Sequence, residues 1–317
     1  MIDSVILKNM HTLTSVHLDK TSGSHYMLET NGISWGSAKA KHSKMTNYTG
    51  IGKIITNSTL DSRSIAITGR VCPVHTTKQI ATLFNTADPD KIAEYKLMEI
   101  DDGCAELSRI VNPLSVLRIL IGDFYIEGKP TSSLKVSEKW KENNEVYKKF
   151  TFSLECSDPM FYFKSKINTT LSGISGGFHF PLIITGSGMR FGIVQHYQLV
   201  IVENTSDIKT GGVLYFKATG SVDNPVITDV YTQKSIKIQK SLVAGETIRI
   251  DTNRRSVEGS LDGENFTSYF DYWDWDNSWI EFPVGSTLLG FSADDETYKN
   301  LLVWVELQQS IYTLEDE

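Results

Sequence analysis

The sequence predicts a mainly β fold in two domains, and three observations carry that prediction. Short stretches of alternating apolar and polar side chains recur, the period of half-buried strands, and in the second half they follow each other at roughly ten-residue spacing. Helical periodicity is confined to the first half. Between the halves, Pro159 ends a strand pattern, and a polar Gly/Ser-rich run, residues 164–177, follows soon after. Together these place a boundary that gives domains of residues 1–164 and 165–317.

A chain of 317 residues is long enough for two such domains, each with its own core. At 40% hydrophobic and 22% charged it has the composition of a soluble globular protein. No segment is long and apolar enough to span a bilayer, so no membrane insertion is expected. The opening Met1-Ile-Asp-Ser-Val-Ile-Leu-Lys8 lacks the basic-then-apolar build of a signal peptide. Cys72, Cys104 and Cys156 lie far apart with no CxxC, which predicts neither a zinc site nor a disulfide framework, and folding in a reducing cytoplasm. Residues 1–163 hold 19 Lys+Arg against 18 Asp+Glu, whereas the remainder holds 12 against 20. An acidic second half and a near-neutral first half without a basic stripe argue against specific nucleic-acid binding.

In chain order, Val5-Ile-Leu7 opens as a short strand, and His25–Leu28 and Gly32–Gly36 are two more strand-like pieces. Gly50–Ile55 precedes a polar turn at 56–59. Arg63–Gly69 then alternates, with Ile65 and Ile67 on one face. Thr76–Asn85 reads as a helix: Thr76 or Thr77 serves as N-cap, Ile80, Leu83 and Phe84 share a face, and Asp88-Pro89 stops it. Residues 91–110 are ambiguous, with a second helix around Ile92–Met98 and a turn at Asp101-Asp-Gly103 as one reading. Leu117–Ile121 and Phe124–Pro130, joined by Gly122-Asp123, form a hairpin. Trp140, alone among charges in 137–144, is read as a rim contact or, in preference, a lid on the barrel. Phe150–Leu154 alternates again. Pro159 then removes a backbone donor and restricts Asp158, so the ladder stops there. The apolar run Met160-Phe-Tyr-Phe163 follows without a turn residue, and Asp158, Pro159, Met160, Phe161, Tyr162 and Phe163 are read as a hinge.

At this point a family resemblance enters. Arg63-x-Ile-x-Ile-x-Gly69, a helix, Arg109-Ile-Val-Asn-Pro113, Phe124-Tyr-Ile-Glu-Gly128 and the strand ending Leu154-Glu-Cys-Ser-Asp-Pro-Met-Phe161 together resemble the N-terminal domain of the phage distal tail protein family. Segment 86–106 is longer than that pattern. The resemblance implies an N-terminal β-barrel or sandwich with one or two helices, six copies of which close into a ring under the tail tube.

The second half restarts at Phe178–Ile184, with a turn at Gly186–Gly188. Strand patterns follow at Gln198–Val202, Gly212–Ala218, Asn224–Val230, Lys234–Gln239, Ala244–Asp251 and Arg255–Leu261, before an Asp262-Gly263 turn. Short strands so spaced, with no helical segment, describe an all-β sandwich. Ala244-Gly-Glu-Thr-Ile-Arg-Ile-Asp-Thr252, Leu261-Asp-Gly-Glu-Asn265 and Phe282-Pro-Val-Gly-Ser286 again resemble the distal tail family, which implies a galectin-like C-terminal domain outside the ring.

Candidate chemistry concentrates in Tyr269-Phe-Asp-Tyr-Trp-Asp-Trp-Asp-Asn-Ser-Trp279. Tyr269, Tyr272, Trp273, Asp274, Trp275, Asp276 and Trp279 suit either a subunit contact or carbohydrate binding, since interfaces favour large aromatics. On a strand, Asp274 and Asp276 would share a face about 7 Å apart, a separation found in inverting glycosidases but in any i, i+2 pair as well. Gly173-Ile-Ser-Gly-Gly177 matches G-x-S-x-G but lacks the strand-then-helix setting of a nucleophile elbow. The seven histidines form no HExxH, and no P-loop or GxGxxG occurs. No catalytic residue, cofactor or metal is therefore expected. The resemblance implies a structural tail-tip or baseplate protein of the virion. Its partners would be five further copies, the tail tube protein, the tail hub or tail-associated protein, and receptor-binding proteins, in a role in host adsorption. The alternative is a carbohydrate-binding module that recognises host cell-wall polysaccharide.

Overall fold

The computed structural model describes residues 3–21, 23–49, 51–85, 87–176, 192–196 and 199–314. The chain divides into two compact units: Met1–Lys164 with Tyr312–Glu317, and Ser165–Ile311. The second domain was expected to run to the end of the chain, but its last residues fall in the first unit.

In the first unit, β1 (Ser4–Asn9), β2 (Ser15–Asp19), β3 (Tyr26–Ser34), β6 (Arg63–Val71), β7 (Leu117–Ile121), β8 (Phe124–Pro130) and β10 (Lys148–Cys156) are joined side by side. The order β8-β7-β1-β2-β3-β6-β10 returns to its start through Leu154↔Pro130 and Glu155↔Lys129, so the sheet closes into a barrel. All pairings in this ring are antiparallel except β2–β3, which meet in parallel at Asp19↔Met27. Alternation decides what fills the barrel. Ile65, Ile67 and Val71 of β6 and Phe150, Phe152 and Leu154 of β10 are buried, and the residues between them face outward. The pieces read at 25–28 and 32–36 are one strand with a bulge between Leu28 and Ile33, where Asn31 adopts φ 61°. Gly122 turns the expected hairpin at φ 50°.

Four strands of this unit stand outside this ring. β4 (Ala40–Thr46) and β5 (Lys53–Leu60) pair only with each other, as a separate two-stranded sheet. The short β9 (Lys135–Val136) and β11 (Phe161–Phe163) add to β10 and β8.

Helix α1 (Thr77–Leu83) starts with a capping box: the Thr76 hydroxyl accepts the Gln79 amide, and the Gln79 side chain accepts the Thr76 amide. Asp88-Pro89 both ends that stretch and begins the next, because Asp88 caps α2 (Pro89–Ile110) and Pro89 occupies its first turn. The turn expected at Asp101-Asp-Gly103 is absent; α2 runs through it for 22 residues. Gly103 is there for proximity rather than for bending. A Cβ on it would lie 2.7 Å from His25 Cε1 and 2.8 Å from Val71 Cγ1, so the helix rests directly on the barrel. Ile100, Leu107 and Ile110 seal this contact, with Asn9 Nδ2 donating to the Ile110 carbonyl at 3.0 Å. The side chain of Trp140 lies outside the described residues.

The second unit is a sandwich of two antiparallel sheets. One contains β12 (Ile167–Thr170), β16 (Gly212–Ala218), β20 (Thr247–Asp251), β21 (Ser256–Ser260), β22 (Thr267–Ser268) and β24 (Leu301–Leu307), in the order β12-β24-β16-β20-β21-β22. The other contains β15 (Leu199–Asn204), β17 (Val222–Asp229), β18 (Ser235–Lys237) and β23 (Gly285–Asp294) in the order β15-β23-β17-β18, with β19 (Ser241–Leu242) beside β17. Leu214, Phe216, Ile248, Ile250, Val303 and Val305 from the first meet Val202, Ile227, Leu289 and Phe291 from the second in one core.

The run 164–177, read as a linker, is instead structured. Ile167–Thr170 pairs with Leu307–Trp304, Leu171 is fully buried, and β13 (Ser172–Gly176) pairs with β14 (Gly192–His196). Its polarity reflects an edge position, where one face stays wet. Ser175 of the G-x-S-x-G match thus sits within a strand, not at a strand-to-helix turn; Gly177, the strand expected at 178–184 and the turn at 186–188 lie outside the described residues.

Candidate interaction surfaces

The aromatic run 269–279 is mostly architecture. After β22, Phe270–Tyr272 form a single 3-10 turn and the chain continues without a strand, so Asp274 and Asp276 do not share a strand face as expected. Asp274 instead builds a turn. Its Oδ1 accepts the Asp276 amide at 3.0 Å and its Oδ2 accepts Gln239 Nε2 at 2.7 Å, and these bonds, the amide first, hold its carboxyl below the usual carboxylate range. Asn277 sits where a neighbouring strand would, its Oδ1 accepting the Lys237 amide at 2.7 Å and its Nδ2 donating to the Lys237 carbonyl at 2.8 Å. Together with the Ser278 amide, which donates to the Ser235 carbonyl at 3.0 Å, that side chain satisfies the edge of β18.

The aromatics divide by exposure. Trp273 is 8% exposed and part of the sandwich core, bridged to Ile238 and stacked on Trp279 with centroids 4.2 Å apart. Tyr269 lies flat over Gly259, where a Cβ would come within 2.5 Å of its Cζ. Lys240 Nζ stands 5.5 Å from the Tyr269 ring and 5.4 Å from the Tyr272 ring, and pairs with the buried Glu246 at 2.8 Å. Trp275 alone projects freely, at 88% exposure; Tyr272 is 37% exposed and Asp276 is exposed in the turn. The sequence brought seven residues together as one site, and the fold assigns them to different tasks.

Residues 158–163 add a strand to the first unit. Asp158 Oδ1 accepts the Met160 amide at 3.1 Å and Oδ2 accepts the Tyr162 hydroxyl. Met160 and Phe161 are buried at 2% and 1% exposure, and Tyr162 and Phe163 pair with Tyr125 and Phe124 of β8. Burial, then the bond to Asp158, pushes the Tyr162 hydroxyl well above its usual range.

The surface that sequence reasoning missed is the β4–β5 hairpin. Every residue of both strands is exposed. Met45, Ile54, Ile55 and Leu60 present 58%, 47%, 54% and 40% of their surface, and Tyr48 and Ile51 in the connecting turn are more exposed still. Alternation could not reveal it, because neither face is buried and Ala40–Thr46 carries no apolar period. An isolated two-stranded ribbon is marginal in water, and its open edges are templates for pairing with another chain. Among the described residues, no group of three or more His, Cys, Asp or Glu could hold a metal ion, and no helix is long and apolar enough to cross a membrane.

Comparison with known proteins agrees with this architecture. Residues 205–301 match the family model of the siphovirus-type tail component, C-terminal domain. No curated protein matches the chain in sequence. Among solved structures, the Dit protein (gp 19.1) of phage SPP1, described as a paradigm of hub adsorption apparatus in Gram-positive infecting phages, aligns over 96% of this chain and 98% of its own. The TM-score is 0.60 at 13% identity, which shows a shared fold. A chain of the phage P2 baseplate in its activated conformation with Ca aligns over 98% of both chains, with a TM-score of 0.45 at 11% identity. The matched residues 205–301 all lie in the second unit, which is thus similar to a siphovirus-type tail component, C-terminal domain.

Proposed function

We propose that this chain is a structural subunit of a phage tail tip or baseplate, a distal tail protein whose first unit closes with five further copies into a ring. The ring joins the tail tube to the tail hub and the receptor-binding apparatus, and the second unit, galectin-like in this reading, lies outside it. The protein then belongs to the virion and acts by assembly during host adsorption, without turnover.

One observation carries this reading: a hairpin whose strands are wholly exposed, with a row of large apolar side chains, on an otherwise closed barrel. Apart from the short β9, the closed barrel has few edges of its own to offer. The hairpin supplies them, and a heterologous contact, in which it meets a different patch on the next copy, generates a ring when the rotation closes. The family match over residues 205–301 and the fold shared with a hub protein support the same assignment.

The test is to place Asp at both Ile54 and Ile55 and follow sedimentation. Because both side chains are already about half exposed, the variant keeps its thermal transition, and the wild type assembles while the variant stays monomeric. Unchanged assembly in the variant would sink the reading. A second reading, carbohydrate binding, rests on Trp275 alone: glycan-array binding by the wild type that Trp275→Ala abolishes would establish it.

A further inference from the structure

Arg63 opens β6 at 3% exposure, yet among the described residues no carboxylate lies within ion-pair distance of it. Its Nη2 donates to the Tyr312 carbonyl at 2.5 Å, and its guanidinium stacks on Phe161, 4.6 Å from the ring centroid. Its Nε is buried without any hydrogen-bond partner. The neighbouring Cys156 cannot balance the charge, since burial pushes its thiol up to about 12 and keeps it neutral. Burial also pulls the guanidinium below its usual value, but arginine does not lose its proton in proteins. A buried, unbalanced guanidinium is costly, and native folds keep one where something pairs with it.

Arg63 lines a cavity of about 410 Å³ within the first unit. Trp35, Leu60, Phe161 and Leu314 give that cavity apolar walls, Ser37 and Thr313 bring hydroxyls, and among the described residues no acidic one lines it. The lining is that of a receptor for an anion on an apolar body: a planar fork of donors, aromatic walls and small polar groups.

We propose that this cavity is a carboxylate-binding site in which Arg63 pairs with a carboxylate carried on an apolar group. The site takes one wall, Leu60, from the end of the hairpin, but it does not depend on the ring. Two sources of that chemistry are open to the same test. One is a carboxylate presented by another molecule. The other is the chain's own Glu315-Asp-Glu317, which follows Leu314 in sequence.

The experiment titrates phenylacetate, with phenylacetamide as its neutral counterpart, into the full chain, into a chain ending at Leu314, and into Arg63→Met versions of both. Calorimetry reads binding. Saturable phenylacetate binding, at least about tenfold weaker for the amide and for Arg63→Met, supports the site. Binding by the full chain assigns the carboxylate to another molecule; binding only after residues 315–317 are removed assigns it to the chain's own end. If Arg63→Met fails to fold, the acid–amide comparison still decides. Absence of phenylacetate binding in both chains, or equal binding of acid and amide, overturns the proposal.

Discussion

Two tryptophans close in sequence show how little residue type says about role. Trp273 and Trp275 are two positions apart, but one stacks in the core and the other stands in solvent. Trp273→Ala is therefore expected to cost about 3–5 kcal/mol of stability by chemical denaturation, whereas Trp275→Ala should change it by less than about 0.5 kcal/mol. A double substitution would confuse loss of fold with loss of contact, so only the Trp275 variant is informative about binding. Gly103 makes the same point in reverse. Helix propensity alone favours Ala over Gly by about 1 kcal/mol, but the collision with His25 and Val71 opposes it, and Gly103→Ala should lower the melting temperature. A turn was read there because proximity to another element leaves no local signal. Asp262 carries a pH prediction. The Ser260 hydroxyl, then the amides of Asn265 and Glu264, depress its carboxyl far below the usual range. A depressed carboxylate contributes above its unfolded pKa, and that contribution is lost as pH falls through the folded value. Hydrogen exchange at the Glu264 and Asn265 amides should stay slow at mildly acid pH and speed up only in strong acid; fast exchange near pH 4, about the ordinary Asp value, would refute the assignment.

At the scale of elements, what the sequence made legible is what local chemistry determines. Alternation located β6, β10, β16, β20 and β21, and the Thr76 cap and Gly122 turn fell where their side chains dictate. The long strands Gly285–Asp294 and Leu301–Leu307 went unread, as did the continuity of α2. Leu288-Leu-Gly-Phe291 is a central-strand run without clean alternation, paired on both sides by β15 and β17. The hairpin β4–β5 escaped for the opposite reason, having no buried face. Its exposure makes a distinct prediction. Replacing residues 40–60 by a short Gly-Ser link should leave the barrel's denaturation midpoint nearly unchanged, since no side chain of either strand is buried, while removing self-association. A large drop in the midpoint would mean that the hairpin is part of the barrel's own stability. The aromatic segment was legible in content but not in arrangement, because which ring faces inward depends on the 3-10 turn and the Asn277 edge contact.

The whole molecule is two cores on one chain, with the end of the chain returning to the first. The Tyr312 carbonyl accepts a hydrogen bond from Arg63, and Tyr312, Thr313 and Leu314 wall its cavity. Ending the chain at Ile311 should thus lower the stability of the first unit by about 1–3 kcal/mol and leave the second unit's transition in place; calorimetry separates the two. No sequence pattern could have announced that return, which links residues 249 positions apart. The charge split was legible but not its use, since an acidic sandwich and a neutral barrel on one chain fit several assemblies. The most direct test of the central claim is imaging of the purified full chain by cryo-electron microscopy, beside the chain lacking residues 40–60. The account predicts six-fold annuli for the full chain and single particles for the shortened one. Annuli formed equally well without the hairpin, or a full chain that remains single at every concentration imaged, would contradict it.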